Sequence, residues 1–183
     1  LSCSYVTKNT AQQLFGLQMS NAASSCEIPF ELKQDLMIID VVLNKRIPVK
    51  FVFDTGAEHT VLCKKELSSL LNLDFQRTFS ILGADFHSEM TAYLARKVRM
   101  DFVNNVAATE QDILVLEEDY FHLDAATGIP IGGILGADVF HHLTVQIDYV
   151  KQKIKFTLPE KFIPPSNFTP FPIAVIRGKP YFY

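Results

Sequence analysis

Between Leu36 and Phe53 the chain is almost continuously apolar and rich in Val, Ile and Phe, with one interruption at Asn44-Lys45-Arg46. β-Branched and aromatic residues suit a pleated, half-buried surface. The second part of the run places Val49, Phe51 and Phe53 on one face and Lys50 and Val52 on the other, the two-residue period of a strand. Two such runs about an Asn-containing turn predict a β-hairpin. More strands are expected near Phe75–Leu82, Glu89–Phe102, Ala107–Leu116, Thr144–Tyr149 and Lys153–Leu158, the last two joined at Val150-Lys151-Gln152. One short helix is expected at Lys64–Leu71, with Leu67, Leu70 and Leu71 on one face. Regular short strands with few helices predict an all-β barrel or sandwich.

Composition narrows the function classes. Hydrophobic residues make up 48% of the chain and charged ones 20%, enough for a packed core and against wholesale disorder. Seventeen Lys and Arg against twenty Asp and Glu give a net charge of -3, without the basic excess of a nucleic-acid binder. No apolar run approaches the roughly 18 residues of a membrane span. Cys3, Cys26 and Cys63 are too few and too scattered for a disulfide framework, and no CxxC metal signature is present.

A length of 183 residues suits one domain with a short appendage. Leu1-Ser2-Cys3-Ser4 resembles the tail of a bacterial lipoprotein signal, in which Cys3 would be the lipidated residue; a secreted, periplasmic or lipid-anchored place in a bacterium is the expectation. Residues 10–19 suit a short amphipathic helix behind Thr10, and Asn21 to Ser25 a linker. The expected organisation is thus a helix and linker over 1–26, a β domain over 27–158, and an extension over 159–183 after the break at Pro164-Pro165.

The hairpin's second strand runs directly into Asp54-Thr55-Gly56-Ala57. A carboxylate at the end of a buried strand is costly to ionise unless something uses it. Gly56 permits a sharp bend, and Thr55 can hydrogen-bond back to the chain. Asp-x-Gly is also ordinary turn chemistry. Far downstream comes Gly132-Gly133-Ile134-Leu135-Gly136-Ala137-Asp138-Val139-Phe140, two apolar residues before a glycine that opens a short helix.

With these two pieces in this order, residues 27–158 resemble the retropepsin-like aspartic proteases. In that family each half contributes an apolar-apolar-Asp-Thr/Ser-Gly loop backed by an apolar-apolar-Gly segment. Val52-Phe53-Asp54-Thr55-Gly56 and Ile134-Leu135-Gly136 stand at the matching positions. The resemblance implies a closed acid-protease barrel with a flap hairpin over 79–93, centred on Gly83-Ala84-Asp85-Phe86-His87-Ser88. It implies Asp54, Thr55 and Gly56 as catalytic residues and Ala57, Gly83, Ala84, Asp85 and Phe86 as substrate-binding ones. Ile134, Leu135 and Gly136 become the support of the active loop. Ile81-Leu82-Gly83-Ala84-Asp85 nearly repeats Ile134-Leu135-Gly136-Ala137-Asp138, and the later copy is taken as the support because the earlier one sits where a flap belongs.

The implied reaction is hydrolysis of an extended peptide by two aspartates that share one proton, with no metal or cofactor. One Asp-Thr-Gly cannot supply both aspartates. The partner is therefore a second copy of the chain, making a homodimer, or a second half-domain. Phe168-Thr169-Pro170-Phe171-Pro172-Ile173 echoes Glu27-Ile28-Pro29-Phe30-Glu31-Leu32, and Arg177 to Tyr183 echoes Lys45 to Phe51, as the start of a second half would. The other reading of this tail is a closing hairpin that completes the barrel or a dimer sheet. A non-catalytic peptide-binding domain on the same fold is the rival function.

Other polar groups read as structural. His141-His142 and His59 are expected to face solvent, Glu117-Glu118-Asp119 to form a solvated loop, and Cys63 to behave as a small buried hydrophobe. No GxSxG nucleophile elbow or Gly-rich phosphate loop is present.

Overall fold

The computed structural model describes residues 16–19, 23–82, 89–176 and 179–181. In chain order its strands are β1 (Leu17–Gln18), β2 (Ser25–Pro29), β3 (Glu31–Lys33), β4 (Leu36–Leu43), β5 (Ile47–Phe53) and β6 (Val61–Leu62). They continue with β7 (Phe75–Leu82), β8 (Glu89–Asp101), β9 (Ala107–Leu116), β10 (Gly133–Leu135), β11 (Thr144–Asp148) and β12 (Lys153–Thr157), and end with β13 (Ala174–Ile176) and β14 (Lys179–Tyr181). Helix α1 spans Lys65–Leu70 and α2 spans Leu123–Thr127.

The expected hairpin forms as β4 and β5, paired from Ile38↔Val52 to Leu43↔Ile47. Its turn uses left-handed backbone at Asn44 (φ 48°) and Lys45 (φ 57°), a conformation Asn tolerates better than most residues. The Asn44 side chain accepts the Arg99 N–H at 2.9 Å, which ties the turn to β8.

Pairings β9–β6, β6–β10, β10–β5, β5–β4, β4–β8 and β8–β9 close a ring of six strands. This is the closed β-barrel that the resemblance implied. The long β8 serves two purposes: it pairs with β9 and β4 to shut the barrel, and with β7 from Phe75↔Ala95 to Leu82↔Glu89 as a projecting hairpin. A second sheet, β11-β12-β2, packs beside the ring.

The core fills the ring and the space between the sheets. Phe51, Leu43, Val98, Met100 and Val115 are buried inside it. Phe53, Phe140 and Phe156 form a three-ring cluster, with centroids 4.7 Å apart for Phe53–Phe140, 6.1 Å for Phe53–Phe156 and 5.9 Å for Phe140–Phe156. On the opposite face of β5, Val52 packs with Ile38 and Ile131 in a separate cluster. The strand that leads to Asp54 is therefore held on both faces.

Several local expectations change. Leu17–Gln18 is a strand, not part of a helix over 10–19: it pairs with Ala107 and Ala108 on β9, and that burial of Leu17 outweighs helix propensity. The rest of the expected helix, residues 10–15, lies outside the described residues, as does Cys3. Ser25 belongs to β2, where it pairs with Thr157, and is not linker. At the end of α1, Leu70 is 64% exposed while Leu71, the residue that caps the helix, is buried, because the six-residue helix turns only one face to the core. The tail strands β13 and β14 pair with each other in a two-stranded sheet. They do not complete the barrel, which β8–β9 pairing has already closed.

Candidate active site

Asp54 stands one residue beyond β5, at the start of a loop that returns to the sheet as β6. β5 and β6 are not neighbours. β10 lies between them, parallel to β5 through Gly133↔Phe51, Ile134↔Val52 and Leu135↔Phe53, and antiparallel to β6 through Gly133↔Leu62 and Ile134↔Val61. The loop must therefore arch over the end of β10, across two inter-strand spacings of about 4.8 Å each.

Three contacts brace that arch from below. The Asp54 N–H donates to the Leu135 carbonyl at 3.1 Å, and the Ala137 N–H donates to the Ala57 carbonyl at 2.8 Å. The third is steric. A Cβ on Gly136 would lie 2.4 Å from the His59 carbonyl carbon and 2.9 Å from the Thr60 nitrogen. Only a residue without a side chain lets the His59–Thr60 backbone come this close. Gly133 is constrained in the same way, since its Cβ would lie 2.1 Å from the Val61 carbonyl oxygen.

Burial stops at Phe53. Asp54, Thr55 and Gly56 are exposed, so the carboxylate is not sunk in the apolar strand end that the sequence suggested. Asp54 Oδ1 accepts the Gly56 N–H at 2.8 Å, which orients the carboxylate across its own turn. Among the described residues no other hydrogen bond or ion pair reaches that carboxylate, and the Thr55 hydroxyl has no partner. The loop presents one carboxylate and one hydroxyl outward.

Of the sequence-predicted site residues, the structure brings Asp54, Thr55, Gly56 and Ala57 together with Ile134, Leu135 and Gly136. Gly83, Ala84, Asp85 and Phe86, which follow β7 in the sequence, lie outside the described residues. Two cavities are not lined by Asp54. One of about 340 Å³ lies between β5 and α1, beside Val49, Leu67 and Gly132. The other, about 840 Å³, lies under the chain at Pro165–Phe168 against β11 and β12.

Two residues to which the sequence reading gave no role bear on the arch, Thr60 and Asp138. Thr60 is fully buried, and its N–H and hydroxyl donate to Asp138 Oδ2 and Oδ1 at 2.9 and 2.7 Å. A polar residue directly before the apolar pair Val61-Leu62, and an acid two residues after Gly136, were the only traces of this link in the chain.

The remaining candidates are structural. Cys63 is buried, and desolvation, aided by the nearby Asp119 charge, pushes its thiol up to about 12, where it is unreactive. Glu117 is not simply solvated: it accepts the Tyr93 hydroxyl at 2.7 Å and pairs with Lys65 at 3.6 Å. The imidazole of His142 bonds the Leu17 carbonyl at 3.1 Å and so anchors β1. Among the described residues no cluster of three or more His, Cys, Asp or Glu is placed to hold a metal ion. No described helix is long and apolar enough to cross a membrane.

Residues 39–139 match the family model described as aspartyl protease. Among solved structures, a retropepsin-like aspartic protease from Rickettsia conorii is similar at 17% identity, covering 77% of this chain and 98% of that one with a TM-score of 0.48. The structure titled edgp is similar at 11% identity and a TM-score of 0.53, over 89% of this chain and 56% of that one. No curated protein sequence matches the chain.

Proposed function

The chain belongs to the aspartyl protease family, and from that premise we propose that it is an aspartic endopeptidase unit with Asp54 as one member of a catalytic dyad. The observation that carries this reading is the outward-facing Asp54 loop, braced at its first residue by Leu135 and beneath its arch by Gly136. A turn aspartate needs no such platform. A carboxylate that must meet a second one at fixed separation does.

The second aspartate comes from another copy of the chain or from a second half-domain of the same design. Thr55 is exposed, its hydroxyl has no partner among the described residues, and it bonds across to the facing loop. In the assembled site the two carboxylates share one proton, because both cannot ionise cheaply at close range. The ionised member takes a proton from water, and the water oxygen attacks the peptide carbonyl. The protonated member donates to the developing oxyanion. The carboxyl that took the water proton then gives it to the leaving nitrogen as the C–N bond breaks, and the other regains its proton from the collapsing diol, without a covalent intermediate.

The substrate is an extended peptide, paired strand-like against the loop at Ala57 and against the β7–β8 hairpin, which acts as the flap. Asp54→Asn in the peptide-cleaving assembly tests the assignment. Hydrolysis should vanish while peptide binding survives. Undiminished hydrolysis would remove Asp54 from the dyad, and absence of cleavage by the wild-type assembly on any peptide would favour a binding domain.

A further inference from the structure

We propose that Asp138 is a positioning residue for Asp54, acting through Thr60 at the far end of the catalytic loop. The inference rests on the reading of Asp54 as catalytic, but the geometry behind it is separate. The loop has two ends. The near end is fixed by the main-chain bond from Asp54 to Leu135. The far end is fixed by side chains: Gly136 N–H donates to Thr60 Oγ1 at 3.1 Å, Thr60 Oγ1 donates to Asp138 Oδ1 at 2.7 Å, and Thr60 N–H donates to Asp138 Oδ2 at 2.9 Å.

The direction of these bonds makes the carboxylate necessary. Gly136 N–H occupies the hydroxyl as an acceptor, so the hydroxyl's own proton must point to Asp138. The Thr60 N–H points there as well. Asp138 therefore has to accept twice, once on each oxygen, which a carboxylate does and an amide cannot. Because Thr60 is fully buried, water cannot replace a lost acceptor there. Asp138 itself rides on the short turn Ala137–Val139, directly after the glycine under the arch, and its backbone carbonyl is bonded by His141 Nδ1 at 3.1 Å. The same segment thus holds the loop at Asp54, at Ala57 and at Thr60.

Slackening the far end should let the arch shift and carry the Asp54 carboxylate with it. Misplacement of a reacting group by about 1 Å can cost on the order of a hundredfold in rate. The Gly56 N–H, bonded to Asp54 Oδ1 at 2.8 Å, reports the carboxylate's place directly.

The experiment uses the full chain with Asp138→Asn, Thr60→Val and Thr60→Ser. Amide resonances and hydrogen exchange are followed at Gly56, Thr60 and Gly136, with Ile38–Val42 of β4 as the internal reference. The expected result is a shifted Gly56 amide and faster exchange at Thr60 in Asp138→Asn and Thr60→Val, an unchanged β4, and near wild-type behaviour in Thr60→Ser. In the peptide-cleaving assembly, kcat should fall roughly 10- to 100-fold in the first two variants, with KM within about twofold. Unchanged Gly56 and Thr60 amides in Asp138→Asn would overturn the proposal, as would loss of kcat only in proportion to the unfolded fraction. Should Asp54→Asn leave cleavage intact, the catalytic reading fails, and the amide data still decide whether Asp138 positions the loop.

Discussion

The main-chain N–H of Asp54 donates to the carbonyl oxygen of Leu135 at 3.1 Å, carrying the parallel pairing of β5 and β10 one residue past Phe53. That bond places the first residue of the exposed loop as firmly as if it were still in the sheet. Asp54 is thereby both accessible and fixed, a combination that loops seldom offer unless a rigid scaffold holds them.

Activity should depend on assembly. If the second aspartate comes from another copy, specific activity falls as the chain is diluted through its dimer dissociation constant. A dilution series read by peptide cleavage and by analytical ultracentrifugation checks this. Activity per chain that stays constant while the dimer dissociates would exclude the two-copy arrangement.

Gly136→Ala should damage both the fold and the site. Its new methyl would meet the His59 and Thr60 backbone, which has no flexible end to move aside. Overpacking of this kind costs about 1–3 kcal/mol, readable as a lower urea midpoint at unchanged slope. The peptidase rate of the folded fraction should also drop, since the loop must rise to make room. A variant with wild-type stability and rate would show that the arch does not rest on this glycine.

Phe156→Ala separates core from site. Phe156 is buried against Phe53 and Phe140, so its loss should cost about 3–5 kcal/mol. Whatever remains folded should keep its KM, because Phe156 lies on β12 and packs on Phe53 and Phe140, which flank the loop and its support, rather than on the loop itself. Thermal unfolding and steady-state kinetics on the same sample measure the two effects.

The acid limb of stability should carry the signature of Asp124. Partial burial opposes its ionisation, but the ion pair with Lys64 and the Ile131 N–H at 2.6 Å outweigh it and hold the carboxyl below its ordinary 3.8. The unfolded chain then takes up this proton first as pH falls. The stabilisation is present above 3.8 and is lost as the pH drops through that value towards the folded pKa. Urea midpoints at about pH 6 and about pH 3.5 should differ less for Asp124→Asn than for the wild type. Equal differences in the two proteins would assign the acid limb to other carboxylates.

The sequence by itself determined the β4–β5 hairpin, the long strands β7, β8 and β9, the β11–β12 pair and the place where Asp54 leaves its strand. Each is written in local terms: alternation over five or more residues, β-branched side chains, and a turn residue such as Asn44 that accepts left-handed backbone. The Ile134-Leu135-Gly136 motif was visible too, though only through its resemblance to a family. Tertiary structure decided the rest. β6 and β10 are two and three residues long, too short to show any period. Their places beside β9 and between β5 and β6 exist only because distant strands close a ring. The same closure turned Leu17 into a strand, left Asp54 outside the core, and brought Asp138 under Thr60. Local propensity acts over a few residues, whereas a barrel's register is set by which buried faces meet across the whole chain.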